Sequence, residues 1–265
     1  MTTAARPRSI DTAIAPDASV HIDPEARVFI ADGFRWDAQQ AYLFDIDGTL
    51  LRSRDRVHYD SFFAAVKHVL GRPLVLDGVT LHGNTDPGIL RDAFRLAELR
   101  DEHWRPSMTA IFDHMSEGVR ARRAELDLVV MPGVDRMLAY LAGRGAHLGV
   151  GTGNIESIGW IKVETVGLRH WFTFGGFSDG FEVRSGMVGH ALALARDAAG
   201  PEATVCVVGD TPADVLAARA HGLPTIAVAT GNYTFDQLLE SEPEVCTTTL
   251  TALLEATPDA RAFAH

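Results

Sequence analysis

The stretch Ala41-Tyr42-Leu43-Phe44-Asp45-Ile46-Asp47-Gly48-Thr49-Leu50 decides how this chain is read. A short apolar run bounded by a Gly turn is the pattern of a buried strand, and two aspartates fall where that strand ends. Open α/β sheets take their ligands at the carboxyl ends of the strands, so these carboxylates are expected to face a site rather than a core. One carboxylate can be a nucleophile and metal ligand while the other, one residue away, moves protons. Gly48 and Thr49 are expected to leave backbone N–H groups free to cradle an anion. Asp, Asp, Gly, Thr and Leu at these fixed positions recur by chance in roughly one window per million, so an Asp-Gly hairpin turn is a poor account of them.

Outward from this strand the chain divides by pattern. Residues 1–40 are grouped as an N-terminal extension, polar and proline-bearing to about residue 26 and with Val28-Phe29-Ile30 as a short strand. From about 53 to 130 apolar residues recur at helical spacing. Phe62, Phe63, Val66, Val69 and Leu70 mark one helix, and Met108, Ile111, Phe112, Met115 and Val119 mark another. Between them Asp86-Pro87 reads as the N-cap and first residue of a helix carrying Ile89, Leu90, Ala93 and Phe94. From Met131 helices alternate with β runs at 146–150, 171–174, 204–208 and 224–229. That alternation predicts an α/β fold, a doubly wound, Rossmann-like parallel sheet built from 41–52 and 131–265, with an all-helical insertion at 53–130.

Composition narrows the function. A formal charge of −11 disfavours nucleic acid and membrane surfaces as partners. An anionic substrate would have to be met by local positive charge, and lysine is scarce: only Lys67 and Lys162 occur among 24 basic residues. Two cysteines, Cys206 and Cys246, make no disulfide framework. With no apolar h-region at the start and no stretch of membrane-spanning length, a cytoplasmic location is expected, as a monomer or homodimer.

Two more segments fall at strand ends. Gly149-Val150-Gly151-Thr152-Gly153-Asn154 departs from the dinucleotide fingerprint, and Thr152 at a helix start suits a phosphoryl oxygen better. Gly209-Asp210-Thr211-Pro212-Ala213-Asp214 sets Asp210 at a strand tip and Asp214 a helical turn later, where both could face a hard cation.

Asp-x-Asp-Gly-Thr-Leu, then Thr-Gly-Asn, then Gly-Asp-Thr-Pro-x-Asp, in that order, resembles the haloacid dehalogenase-like hydrolase superfamily. The chain looks most like its phosphoglycolate-phosphatase-like branch, which carries a helical cap between the first two motifs. The resemblance covers about 41–250. It implies Asp45 as nucleophile, Asp47 as general acid/base and Thr152 as a phosphoryl ligand. It also implies Mg²⁺ held by Asp45, the Asp47 carbonyl and Asp210, with Asp214 in support. Gly48, Thr49, Gly153 and Asn154 would line the substrate site. So would Thr85, because Gly83-Asn84-Thr85-Asp86 resembles a cap loop of such phosphatases. The expected partner is a small phosphorylated metabolite, with phosphoglycolate as first candidate.

One departure stands out. The family carries a lysine about thirty residues past the threonine, where this chain reads Val183-Arg184-Ser185. Arg184, directly before a helix, is the preferred substitute. Lys162 is the other, but two turns into its helix it is expected below the site. Other functions are weighed against this reading. Gly176-Phe177-Ser178-Asp179-Gly180 fits a serine-hydrolase elbow but lacks the helix that should follow. A 2-haloacid dehalogenase has no use for Asp47 or a metal. A sugar-phosphate mutase or phosphonate hydrolase would keep all four acids, and a non-catalytic binding protein would leave them unexplained.

Overall fold

Tyr42-Leu43-Phe44 lies in register between Leu148-Gly149-Val150 on one side and Cys206-Val207-Val208 on the other, all parallel. A strand flanked on both edges and covered on both faces must be apolar throughout, which is why Ala41–Phe44 is buried at every position. The computed structural model describes residues 25–262. The early expectation for residues 1–24 lies outside them.

The chain opens with β1 (Val28–Ile30), β2 (Ala41–Phe44) and β3 (Leu51–Ser53). Helices α1 (Val57–Leu70), α2 (Asp86–Leu96) and α3 (Met108–Ala121) follow, and β4 (Leu128–Val130) returns to pair antiparallel with β3. Then come α4 (Val134–Gly143), β5 (His147–Gly151), α5 (Glu156–Thr165), β6 (Phe174–Gly176) and α6 (Arg184–Ala199). The chain closes with β7 (Val205–Gly209), α7 (Pro212–Arg219), β8 (Thr225–Val228), α8 (Phe235–Leu239), β9 (Val245–Thr247), α9 (Leu250–Ala256) and α10 (Pro258–Ala262).

The main sheet has the order β1-β9-β8-β7-β2-β5-β6 and is parallel except for β1, which runs antiparallel to β9. Val28–Ile30 is therefore an edge of the central sheet, and Arg27 is anchored beside it by a forked ion pair with Asp236. From β2 the chain steps to β5 on one side and later crosses to β7 on the other. The carboxyl ends of these three strands converge at a crevice of the kind where doubly wound sheets bind ligands.

Helices α1–α3 form the cap around their own core of Val57, Phe62, Val66, Leu90, Phe94, Trp104, Ile111 and Met115. Ile155, Ile158 and Ile161 of α5 belong to that same cluster. One face of a core helix is thus part of the cap's interior, and each buried isoleucine contributes about 1.5–3 kcal/mol to holding the two together.

Three local expectations are corrected. The N-cap of α2 is Thr85, not Asp86, and Pro87 sits one position later. Trp171 ends a short 3-10 turn, and the strand begins only at Phe174, where Gly175 and Gly176 lie against Phe177 and Ala191. Arg184 does not precede the helix but opens it, as the first residue of α6.

Candidate active site

Asp45 directly follows β2 and hangs on the neighbouring strand through its N–H to the Val208 carbonyl (2.9 Å). Its carboxylate meets the Arg184 guanidinium at 2.7 Å, both groups being almost fully buried. Arg184 also holds Asp214, donating from Nε to Oδ1 at 2.9 Å. The other Asp214 oxygen closes a capping box on α7, taking the Thr211 N–H (3.0 Å) and hydroxyl (2.7 Å). Asp210 completes the cluster: one oxygen each of Asp45, Asp210 and Asp214 lie within 4.8 Å of one another.

Gly48 makes this approach possible. Its φ is +86°, and a Cβ there would sit 2.3 Å from Asp210 Oδ2, so only glycine fits on both counts. Thr49 donates its hydroxyl to Asp210 Oδ1 at 3.1 Å. The expected anion cradle is not there: the Gly48 and Thr49 N–H groups donate to Leu51 and Ile46 carbonyls and close the turn.

Burial sets the proton affinities. Asp45 is pushed up to about 6 by burial, which outweighs the Arg184 charge; Asp214 and Asp47 push the same way. Asp210 is raised well above the usual carboxylate range by burial and by Asp45. Three buried carboxylates share one guanidinium, so the cluster has an unmet demand for positive charge, and hard oxygen donors of this kind suit a divalent cation. Both Asp214 oxygens are already engaged, which leaves Asp45 and Asp210 as the better donors.

Asp47 sits in a second network. Asp47 is only half-buried; the desolvation it does suffer opposes its ionisation, but Lys162 prevails and holds it below the usual carboxylate range. The Lys162 ammonium reaches both Asp47 oxygens (2.9 and 2.7 Å) and Asn154 Oδ1 (2.8 Å). Asn154 in turn donates to Asp47 (2.8 Å) and to the Thr152 hydroxyl (2.9 Å). Thr152 bonds Asp45 and is fully buried. The expectation that Lys162 lies below the site is wrong. Side chains on a helix lean toward its N-terminus, so the Lys162 stem runs back up α5 toward the strand tips.

The loop after β5 is fixed from two sides. Ser178 donates its hydroxyl to the Gly153 carbonyl (2.7 Å) and is fully buried, so the apparent serine elbow is a brace. From the cap, the Asp86 N–H bonds the same carbonyl (2.8 Å), and the Asp86 carboxylate takes the Ile155 N–H (2.9 Å) with His58 3.2 Å away. A Cβ on Gly153 would meet the Asn84 carbonyl at 2.3 Å. Thr85 caps α2: its buried hydroxyl accepts the Gly88 N–H and starts the helix. Sequence reasoning took Asp86 for a helix cap and missed this cap-to-core role. The signal was its place in the loop Gly83-Asn84-Thr85-Asp86, directly before Pro87.

The order of these strand-end loops matches a known family. A haloacid dehalogenase-like hydrolase profile matches residues 39–222. The chain belongs to that family. It is 28% identical over 223 residues to a phosphoglycolate phosphatase of Agrobacterium fabrum (strain C58 / ATCC 33970), covering 81% of this chain and 90% of that one. It is also 34% identical over 136 residues to the probable phosphatase IndB of Dickeya dadantii (strain 3937), where the match spans 48% of this chain and 56% of the relative. Among solved structures, CbbY from Rhodobacter sphaeroides in complex with phosphate superposes with a TM-score of 0.53 at 19% identity, covering 77% of this chain and 96% of that one. Such a likeness speaks for the fold. Among the described residues no helix is long and apolar enough to cross a membrane.

Proposed function

We propose that this chain is a Mg²⁺-dependent phosphatase of small phosphorylated metabolites, with phosphoglycolate-like monoesters as the first class to test. The observation that carries the reading is the Asp45–Arg184 pair within a buried acidic cluster, with Asp47 held separately two residues away. Asp45 attacks phosphorus, and the phosphorus–oxygen bond to the leaving group breaks as Asp47, ionised in the free site and taking up a proton from solvent when the anionic substrate arrives beside it, gives that oxygen the proton. Asp47 then takes a proton from water, which attacks the aspartyl-phosphate and frees phosphate and Asp45. Arg184 and the Thr152 hydroxyl spread the charge that develops on the phosphoryl oxygens. Mg²⁺, held by Asp45, the Asp47 carbonyl and Asp210 with Asp214 behind them, would supply further positive charge there when bound. A cap seated over the strand tips keeps water out and favours small substrates over phosphoproteins.

The reading is supported by the family and by relatives named as phosphatases. Its test is hydrolysis of p-nitrophenyl phosphate and of a panel of phosphorylated metabolites, with and without Mg²⁺. Activity lost in EDTA and restored by Mg²⁺ is expected, and full activity in EDTA would overturn the metal assignment.

A further inference from the structure

Arg184 is the first residue of α6; Phe181 before it packs on the core, but Glu182, between them, is held by the cap. Arg105 forks onto the Glu182 carboxylate, with Nη2–Oε2 at 3.1 Å and a second, shorter contact from Nη1 to Oε1. Arg91 of α2 donates to the Glu182 backbone carbonyl at 2.8 Å, and its charge lies 4.0 Å from the carboxylate. Gly88, in the first turn of α2, packs so closely that a Cβ there would lie 2.8 Å from that carbonyl. Three cap residues therefore converge on a residue two positions before the guanidinium that pairs Asp45.

We propose that Glu182 is a positioning residue: clamped by Arg105 and Arg91 of the cap, it fixes the start of α6 and thereby the Arg184 guanidinium against Asp45, so the site's buried cation is aligned only while the cap is seated. This rests on the functional reading above. Arg184 spans two carboxylates with one fork, and such a bridge tolerates little displacement of its backbone. The pair Arg105–Glu182 is partly exposed, so it adds little to global stability. Its value lies in alignment, and misplacing a catalytic group by a fraction of an ångström is costly in rate even when the mutated residue lies away from the chemistry.

The test compares Glu182→Gln, Arg105→Ala and Arg105→Lys by steady-state kinetics on p-nitrophenyl phosphate at saturating Mg²⁺, with thermal melts alongside. Glu182→Gln and Arg105→Ala should each lower kcat about tenfold with KM nearly constant and the melting temperature little changed, and Arg105→Lys should recover part of the loss. In an Arg184→Lys background the Glu182→Gln effect should shrink to less than about twofold, because both changes act on one cation. Unchanged kcat in Glu182→Gln, or losses from Glu182→Gln and Arg184→Lys that simply multiply, would overturn the inference. Asp45→Asn separates the two levels: a dead Asp45→Asn with a fully active Glu182→Gln leaves the functional reading standing and sinks only the clamp. An active Asp45→Asn would sink both.

Discussion

A guanidinium that bridges two carboxylates and an ammonium chelated by a third do different physical jobs. Arg184 neutralises the pair Asp45 and Asp214, and its planar fork matches two acceptors at once. Lys162 is a point charge that keeps Asp47 ionised and aimed through Asn154. Arg184→Ala should therefore cut kcat by orders of magnitude, and Arg184→Lys should return only part of it. Lys162→Met should act mainly through Asp47. The lysine is buried but its partner is 42% exposed, so the stability loss should be moderate, about 1–2 kcal/mol. Because the ammonium also aims Asp47, the variant's rate loss should be larger with unactivated esters, whose leaving oxygen depends on a well-placed acid, than with p-nitrophenyl phosphate, even though Asp47 is easier to protonate once the lysine is gone. Equal losses on both would separate Lys162 from proton transfer. That Asp45, Asp47, Thr152 and Asp210 meet at the strand tips was legible because their motifs have fixed spacing at strand ends. Lys162 was misread because spacing along a helix gives its height but not the backward lean of its side chain.

At the scale of elements, strands were easier to foresee than the loops that carry the site. Residues 41–44 and 205–208 announce themselves as apolar runs, whereas the strand Phe174–Gly176 owes its place to two glycines that admit Phe177 and Ala191, a tertiary fact no local pattern carries. Thr85 is the opposite case: its place as N-cap, two residues before Pro87, is local and was open to the sequence. The Ser178 loop offers a test. Ser178→Ala removes one of two donors to the Gly153 carbonyl and leaves the Asp86 N–H in place. It should cost about 1 kcal/mol of stability and leave turnover within a fewfold of wild type. Fluorophosphonates should fail to label the serine, since it is fully buried with its hydroxyl committed. Stoichiometric labelling would revive the serine-hydrolase reading.

At the scale of the whole molecule, the fold holds its carboxylates against their own repulsion, and the balance should be visible in stability as pH changes. In the folded chain Asp210 keeps its proton well above 3.8, the ordinary carboxylate value, and Asp45 keeps its own to about 6. A group whose proton affinity rises on folding contributes its full stabilisation below the unfolded value and loses it as pH climbs through the folded one. In EDTA, then, the wild-type fold should forfeit stability from about pH 4 upward as these acids are forced to ionise, while Asp210→Asn, which cannot ionise, should forfeit less. The two should melt at similar temperatures near pH 4, and the variant should melt progressively higher as pH rises past 6. Mg²⁺ should raise the wild-type melting temperature at neutral pH and narrow that gap, because it binds the ionised cluster and the variant has lost a ligand. Melts across pH 4–8 in EDTA, repeated with Mg²⁺, decide the matter. A variant no more stable than wild type at pH 8 in EDTA would mean that the cluster is not strained by its own charge, and that the demand for a cation has been overestimated.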